Sequence, residues 1–352
     1  MRTISVKELS DLVVTILEKS GVGTADAQLT ADVLVTTDSW GVATHGTKLL
    51  RGYGRRLRAG GLNPRGVPKI VAEGPSWALI DGDVALGMVT SVFATKVAIA
   101  KAKTTGIAIA NVRNSCHFGA AGFYAHLAAQ EKMICIAVAN DTPSVAAPGS
   151  KGPVFGSNPF AFASPGGAHP PIMLDMSTAV VAGGKVWQSV ASGKPIPEGW
   201  LVDQEGRPTT DGTLYPDKAA LLPMGGFKGY GLAIMIDVLS GVLSGAAIRD
   251  KVGAWVYNPD TPTKHGHAFI VIDPKLISGN YESFQSGMNE LIDGVKECAT
   301  VPGNGPLSMP GEHEENRRTA ALKNGIPLRD DIIDTLREAA QEAGVPFPAS
   351  LA

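Results

Sequence analysis

Cysteine is scarce: the 352-residue chain has three, Cys116, Cys135 and Cys298. They form neither a Cys-x-x-Cys pair nor an even-numbered framework, which excludes a disulfide scaffold and the usual zinc-finger and haem-attachment spacings and predicts reduced thiols in a cytoplasmic protein. Charge is sparse as well, at 18% of residues with a net of −2 and no basic stripe, so no nucleic-acid partner is expected. Long apolar runs are missing. The most apolar segment, "GYGLAIMIDVLSGVLSGAAI", is broken by Asp237, Gly241 and Gly245 and reads as a buried helix rather than a membrane span. The N-terminus has no apolar stretch suited to export, and its Ser5-x-x-Glu8 pattern is that of a helix capping box. Gly-x-Ser-x-Gly and His-Glu-x-x-His are both absent, which argues against a hydrolase nucleophile elbow and a zinc protease.

What the chain has in plenty is glycine, 42 residues, within a body that is 44% hydrophobic. That composition suits a packed globular protein, and the length suits more than one structural unit. Leu9, Leu12, Val13, Ile16 and Leu17 recur at helical spacing before Gly21, and a second helix is predicted from Thr24 to about Ser39. After the Gly/Pro-rich "GLNPRGVP" the pattern changes to short apolar runs, "WALIDGD", "GIAIANV", "ICIAVAN" and "FAFAS", which read as strands. Helical periodicity in "SVFATKVAIAKAKTTG" and "AAGFYAHLAAQEKM" separates them, and two charged helices ending at Gly325 and Gly344 close the chain. A mixed α/β class follows, with the helical ends packing around an α/β body.

Seven histidines are present, and context must sort them. His117, in "NSCHFGAAGFY", follows a predicted strand and opens a predicted helix, where free N–H groups face a crevice and Gly119 and Gly122 let a ligand approach. Tight helix packing on small residues explains those glycines equally well. His45, in "GVATHGTKLL", has a hydroxyl residue before it and a glycine after it. "PMGGFKGYGLA", at 223–233, combines glycines with Lys228 as an anion site would, yet has the spacing of neither the dinucleotide fingerprint nor the P-loop. His265 and His267 would share a strand face, but no carboxylate or cysteine lies near them in sequence to complete a metal site. A metal-dependent hydrolase or lyase using His265, His267 and His313 is the competing reading from these residues.

Taken in order, "GVATHG", "LNPRGVP", "NSCHFGAAGFY", "GSNPFAFASP", "LDMSTAVVAGGKV", "IPEGWLVDQEGRPTTD", "PMGGFKGYGLA" and "PGE" are similar to one family over nearly the whole chain. The series resembles the malate/L-lactate dehydrogenases of the non-Rossmann type. The resemblance implies a non-Rossmann NAD(P)-binding mixed-sheet body at 73–305, with a helical domain formed from both chain ends, 1–72 with 306–352. It also implies an oxidoreductase that uses NAD or NADP, acts on a small 2-hydroxy or 2-oxo acid or on a cyclic imine acid, and assembles as a homodimer or from dimers. A cofactor-binding protein that has lost catalysis is a further alternative.

Position by position, the resemblance makes His45 and His117 the candidate proton carriers, with Thr44 orienting His45. Tyr53, Lys48 and Ser157 fall on the substrate side. His117, Phe118, Gly119, Asp141, Asp175, Met176, Ser177, Lys228, Pro310, Gly311 and Glu312 fall on the cofactor side, and no metal is implied. Thr44 stands for the family's serine and Ala43 for its common aspartate, and two further positions depart from the pattern. Leu49 stands where an arginine usually pairs with the substrate carboxylate, and Lys185 stands where one relative places a relay aspartate.

Overall fold

The computed structural model describes residues 1–351. The two ends of the chain are joined by a short antiparallel ladder in which Arg2–Ile4 pairs with Ile326–Leu328. Helix Val6–Lys19 begins as its sequence requires, Ser5 accepting from the Glu8 N–H at 3.1 Å, and buries Leu9, Leu12, Val13, Ile16 and Leu17. Helices Thr24–Ser39, Leu50–Ala59, Glu312–Asn324 and Asp330–Ala343 complete this layer. Ile332, Ile333 and Leu336 of the last helix turn inward. Its outer face meets helix Leu50–Ala59 through Glu342, which pairs with Arg51, Arg55 and Arg58 at 2.7–2.8 Å.

The body is built on a seven-stranded mixed sheet. Its order across the sheet is Lys69–Gly74, Trp77–Asp81, Ile107–Ser115, His265–Ile272, Ile134–Ala139, Phe160–Gly166 and His169–Met176. A single pair, Trp77–Asp81 with Ile107–Ser115, is parallel, and helix Gly87–Thr105 makes the crossover between them. Every other neighbour in this sheet is antiparallel, unlike a doubly wound nucleotide fold. Ala108, Ala110, Ala137, Ala139, Ala161 and Ala163 are buried in the strands, and such small side chains let covering helices approach closely. One apolar cluster continues from Leu9 and Leu336 through Leu34 to Met88 and Ala137, so the terminal helices and the sheet share a core.

A second, five-stranded sheet is formed by short strands between Val145 and Leu221. Helix Phe227–Ile236 then passes into a π-helical turn, Asp237–Val242. The expectation that this apolar stretch is a buried helix is corrected here. Ile236, Ser240 and Gly241 are buried, whereas Phe227, Val238, Val242 and Leu243 are exposed by 72%, 48%, 60% and 57%. Among the described residues no helix is long and apolar enough to cross a membrane.

Candidate active site

The turn after helix Thr24–Ser39 is shaped by a buried acid. The Asp38 carboxylate accepts both the N–H of Thr47, at 3.0 Å, and its hydroxyl, at 2.5 Å, and the chain between them loops outward carrying Thr44 and His45. A Cβ on Gly46 would stand 1.9 Å from Asp38 Oδ1, so this close approach requires glycine. The Thr44 hydroxyl lies 2.8 Å from His45 Nδ1 and fixes the ring.

Strand Ile107–Ser115 delivers His117 to the same place. The two imidazoles are nearly parallel, 5.8 Å apart between centroids and inclined by 22°. Helix Leu50–Ala59 contributes Tyr53, whose buried hydroxyl is 2.7 Å from His117 Nδ1. The Gly119 N–H donates to the same nitrogen at 3.3 Å. Trp255, from the irregular chain before strand His265–Ile272, lies parallel to the His117 ring at 4.5 Å.

Asp141, at the end of strand Ile134–Ala139, is the carboxylate on which these groups converge. Its Oδ1 is 3.2 Å from His265 Nε2, and Ser157 donates to its other oxygen at 3.3 Å. Burial would raise the Asp141 carboxyl, but the hydrogen bond and charge of His265, with His117 behind it, hold it below the usual range. Burial, followed by the charge of neighbouring His45, takes His117 down to about 3 against the pull of Asp141. Burial lowers His45 too, and Asp141 opposes the shift. Burial holds the Tyr53 hydroxyl well above its usual range, so it stays protonated and able to donate.

On the side reached by helix Ala121–Gln130, Asp175 accepts the Gly122 N–H at 2.8 Å while its side chain remains open to solvent. Ser177 ties its turn to the Ser157 carbonyl at 3.0 Å. Gly225 and Gly226 adopt positive φ before helix Phe227–Ile236, with the exposed Lys228 beside them. An acceptor open at Asp175, together with glycine N–H groups and a lysine, suits the ribose and phosphates of a dinucleotide.

The other predicted site residues have the following partners. Lys48 is not turned to the histidines: its ammonium is bound by Asp331 at 2.8 Å on the surface. The Phe118 ring is buried between His267 and Tyr124, at 4.6 and 5.0 Å, so its side chain belongs to the core. Glu312 is engaged by Lys296 at 2.9 Å and by the Met309 N–H at 3.0 Å. The Pro310 carbonyl accepts from Met173 at 2.9 Å, and Gly311, φ 88°, starts the next helix tight against Met173. Leu49 packs on the core, and Lys185 is exposed at the start of helix Gly183–Ala191, whose Gly184 abuts Thr44. The premise that no carboxylate lies near His265 is also corrected, since Asp141 comes from 124 positions away in sequence. His267 bonds Ser115 at 2.9 Å. Among the described residues no three His, Cys, Asp or Glu side chains are grouped to hold a metal. Trp255 and the Asp141–His265 pair escaped the sequence reading because neither carries a periodic or motif signal.

A turn, a strand end and a helix thus bring two imidazoles and a tyrosine together near Asp141, on a mixed and largely antiparallel sheet unlike a doubly wound nucleotide fold. The chain belongs to the malate/L-lactate dehydrogenase family, whose sequence model matches residues 4–337. It is 39% identical to an L-sulfolactate dehydrogenase of Methanocaldococcus jannaschii over 95% of both chains. It is 40% identical to a malate dehydrogenase of Pyrococcus horikoshii over 96% of this chain and 94% of that one. The solved structure of the M. jannaschii sulfolactate dehydrogenase superposes with a TM-score of 0.89 at 37% identity, covering 98% of each chain. The protein is therefore an enzyme of a dehydrogenase family, and that chemistry implies a nicotinamide cofactor.

Proposed function

We propose that this enzyme interconverts a small 2-hydroxy acid and the corresponding 2-oxo acid, with His45 moving the hydroxyl proton and His117 holding the same oxygen by a hydrogen bond. The observation that carries the reading is the parallel histidine pair, in which both Nδ1 atoms are engaged and both Nε2 edges are left for a ligand. The Gly119 N–H donates to Nδ1 of His117, which assigns the ring proton to Nε2, and the Tyr53 hydroxyl beside the same nitrogen can then donate to it. An imidazole kept neutral down to about 3 is a hydrogen-bond donor near neutral pH rather than a proton carrier. His45 differs, because the Thr44 hydroxyl can accept its Nδ1 proton and leave Nε2 as the base. Asp141 supplies the negative charge that favours the imidazolium formed when His45 takes the proton.

The chemistry that NAD or NADP would supply when bound is hydride transfer at C2 of the acid. Asp175, Met176 and Ser177, with the Gly119–Gly122 and Gly225–Lys228 segments, are the residues that would hold the cofactor. Tyr53 and Ser157 orient the substrate side through His117 and Asp141. A second copy of this chain covers the exposed apolar face formed by Phe227, Val238, Val242 and Leu243. The reduced thiols suit a cytoplasmic enzyme.

The test is oxidation of NADH or NADPH by the purified protein across a panel of 2-oxo acids. His45→Ala should lower kcat by about 10²–10⁴, the usual worth of general acid/base help. If no 2-oxo acid is reduced and neither cofactor raises the melting temperature, the reading fails.

A further inference from the structure

Trp255 makes closer ring contact with the site than any residue assigned a role above. Its indole lies parallel to His117, at 4.5 Å and 21°, and parallel to Tyr53, at 5.5 Å and 26°. The chain that carries it, residues 252–264, has neither helix nor strand to stiffen it. It is held by Arg56. That side chain is 1% exposed and, among the described residues, has no carboxylate partner. Its Nη1 donates to the carbonyls of Trp255, Tyr257 and Asn258 at 3.0–3.3 Å, and its Nη2 to the carbonyl of Thr261. Burying a guanidinium is costly unless its donors are used, and here both terminal nitrogens are used to gather one loop, Nε alone having no partner among the described residues.

The surface beneath the loop is cut to receive it. A Cβ on Gly52 would lie 2.9 Å from Cζ3 of the Trp255 indole, and one on Gly61 would lie 2.2 Å from the Pro259 carbonyl oxygen. Neither glycine has a left-handed φ, so space rather than backbone conformation requires them.

We propose that Trp255 is a positioning residue of the active site: a ring locked by Arg56 over Gly52 that covers one face of the His117 ring and keeps water from that face. The inference rests on the reading in which His117 is a working residue, but it can be tested without substrate or cofactor. The ionisable groups facing His117 are His45, Tyr53, Cys116, Asp141, His265 and His267, with Arg56 behind Cys116. Of these, Asp141 favours a charged imidazole and the other histidines oppose it, so the cover supplied by Trp255 is the part that a single substitution removes. Burial is also the largest cause of the lowered basicity of His117.

The experiment is an NMR titration of the histidine rings in the intact, ligand-free protein, with His117 assigned by comparison with His117→Ala. In the wild type its ring should not titrate above about pH 5. In Trp255→Ala its proton affinity should rise about 100-fold or more, and Trp255→Phe should retain the wild-type behaviour. Gly52→Ala should shift His117 in the same direction as Trp255→Ala by pushing the indole outward, the packing lost there being offset in part by the preference of alanine for a helix interior. This variant carries the test if Trp255→Ala does not fold. The proposal is overturned if His117 titrates alike in the wild type, Trp255→Ala and Gly52→Ala, or if Trp255→Phe moves it as far as Trp255→Ala. A shifted titration in a protein that reduces no 2-oxo acid would leave the cover standing and remove the proposed function. An unshifted titration with full turnover would do the reverse.

Discussion

Replacing Asp38 with asparagine probes the turn that presents Thr44 and His45. The carboxyl is 6% exposed, its Oδ2 accepts both Thr47 donors, and its Oδ1 has no partner among the described residues. Burial pushes it from 3.8 up to about 7, against the pull of the two Thr47 hydrogen bonds. Between those two values the folded protein holds a proton that the unfolded chain has released. The stability associated with Asp38 is therefore greatest below about pH 4 and is lost as pH rises through about 7. A rise of that size, about a thousandfold in proton affinity, corresponds to roughly 4 kcal/mol at 1.36 kcal/mol per tenfold. Unfolding entropy of about 2.1 cal/mol/K per residue over 352 residues makes this about 5 °C in melting temperature. An asparagine in its place would keep an oxygen for the Thr47 bonds and cannot ionise. Melting temperatures of wild type and D38N, measured from about pH 4 to about pH 8, should diverge in favour of the variant as pH rises, the other titrating groups cancelling in the difference. A flat difference, or one that moves in favour of the wild type, would refute the buried neutral acid.

Other substitutions separate the structural residues from those of the site. Lys48→Ala should leave kcat and KM unchanged and cost under about 1 kcal/mol, because its pair with Asp331 is well exposed; a tenfold rise in KM would return Lys48 to the substrate. A Cβ at Gly122 would stand 2.8 Å from the Asp175 carboxylate, so Gly122→Ala should weaken nicotinamide-cofactor binding several-fold by calorimetry, and an unchanged Kd would remove Asp175 from the cofactor site. Val242→Glu places a charge in the exposed apolar face and should yield a monomer by light scattering, whereas an unchanged dimer would mean that the copies meet elsewhere.

Local physics was legible in the sequence wherever the signal was local. Ser5 caps its helix, helix Thr24–Ser39 has the bounds expected of it, and the four apolar runs are strands. Sheet order was not legible. Strand His265–Ile272 enters between Ile107–Ser115 and Ile134–Ala139, a pairing decided by contacts across more than a hundred residues. The exposed face around Val242 was missed for a related reason: composition reports that a stretch is apolar but not which side another surface covers. The motif residues His45, His117, Thr44 and Tyr53 were brought together, while Lys48 was drawn away by Asp331, a partner 283 positions distant.

The two histidines entered with equal standing, each between small residues in a matched motif. What separates them is the chemistry offered to Nδ1. A backbone N–H can only donate, so Gly119 makes Nδ1 of His117 an acceptor, and the Tyr53 hydroxyl beside the same nitrogen is able to donate to it as well. A threonine hydroxyl can do either, so His45 can exchange its proton while its partner rotates to follow. A proton carrier needs a partner that tolerates both states, whereas an anchoring donor needs one that forbids the change. By that criterion the proposed function makes the Thr44–His45 turn, held by Asp38, the moving part and His117 the fixed one.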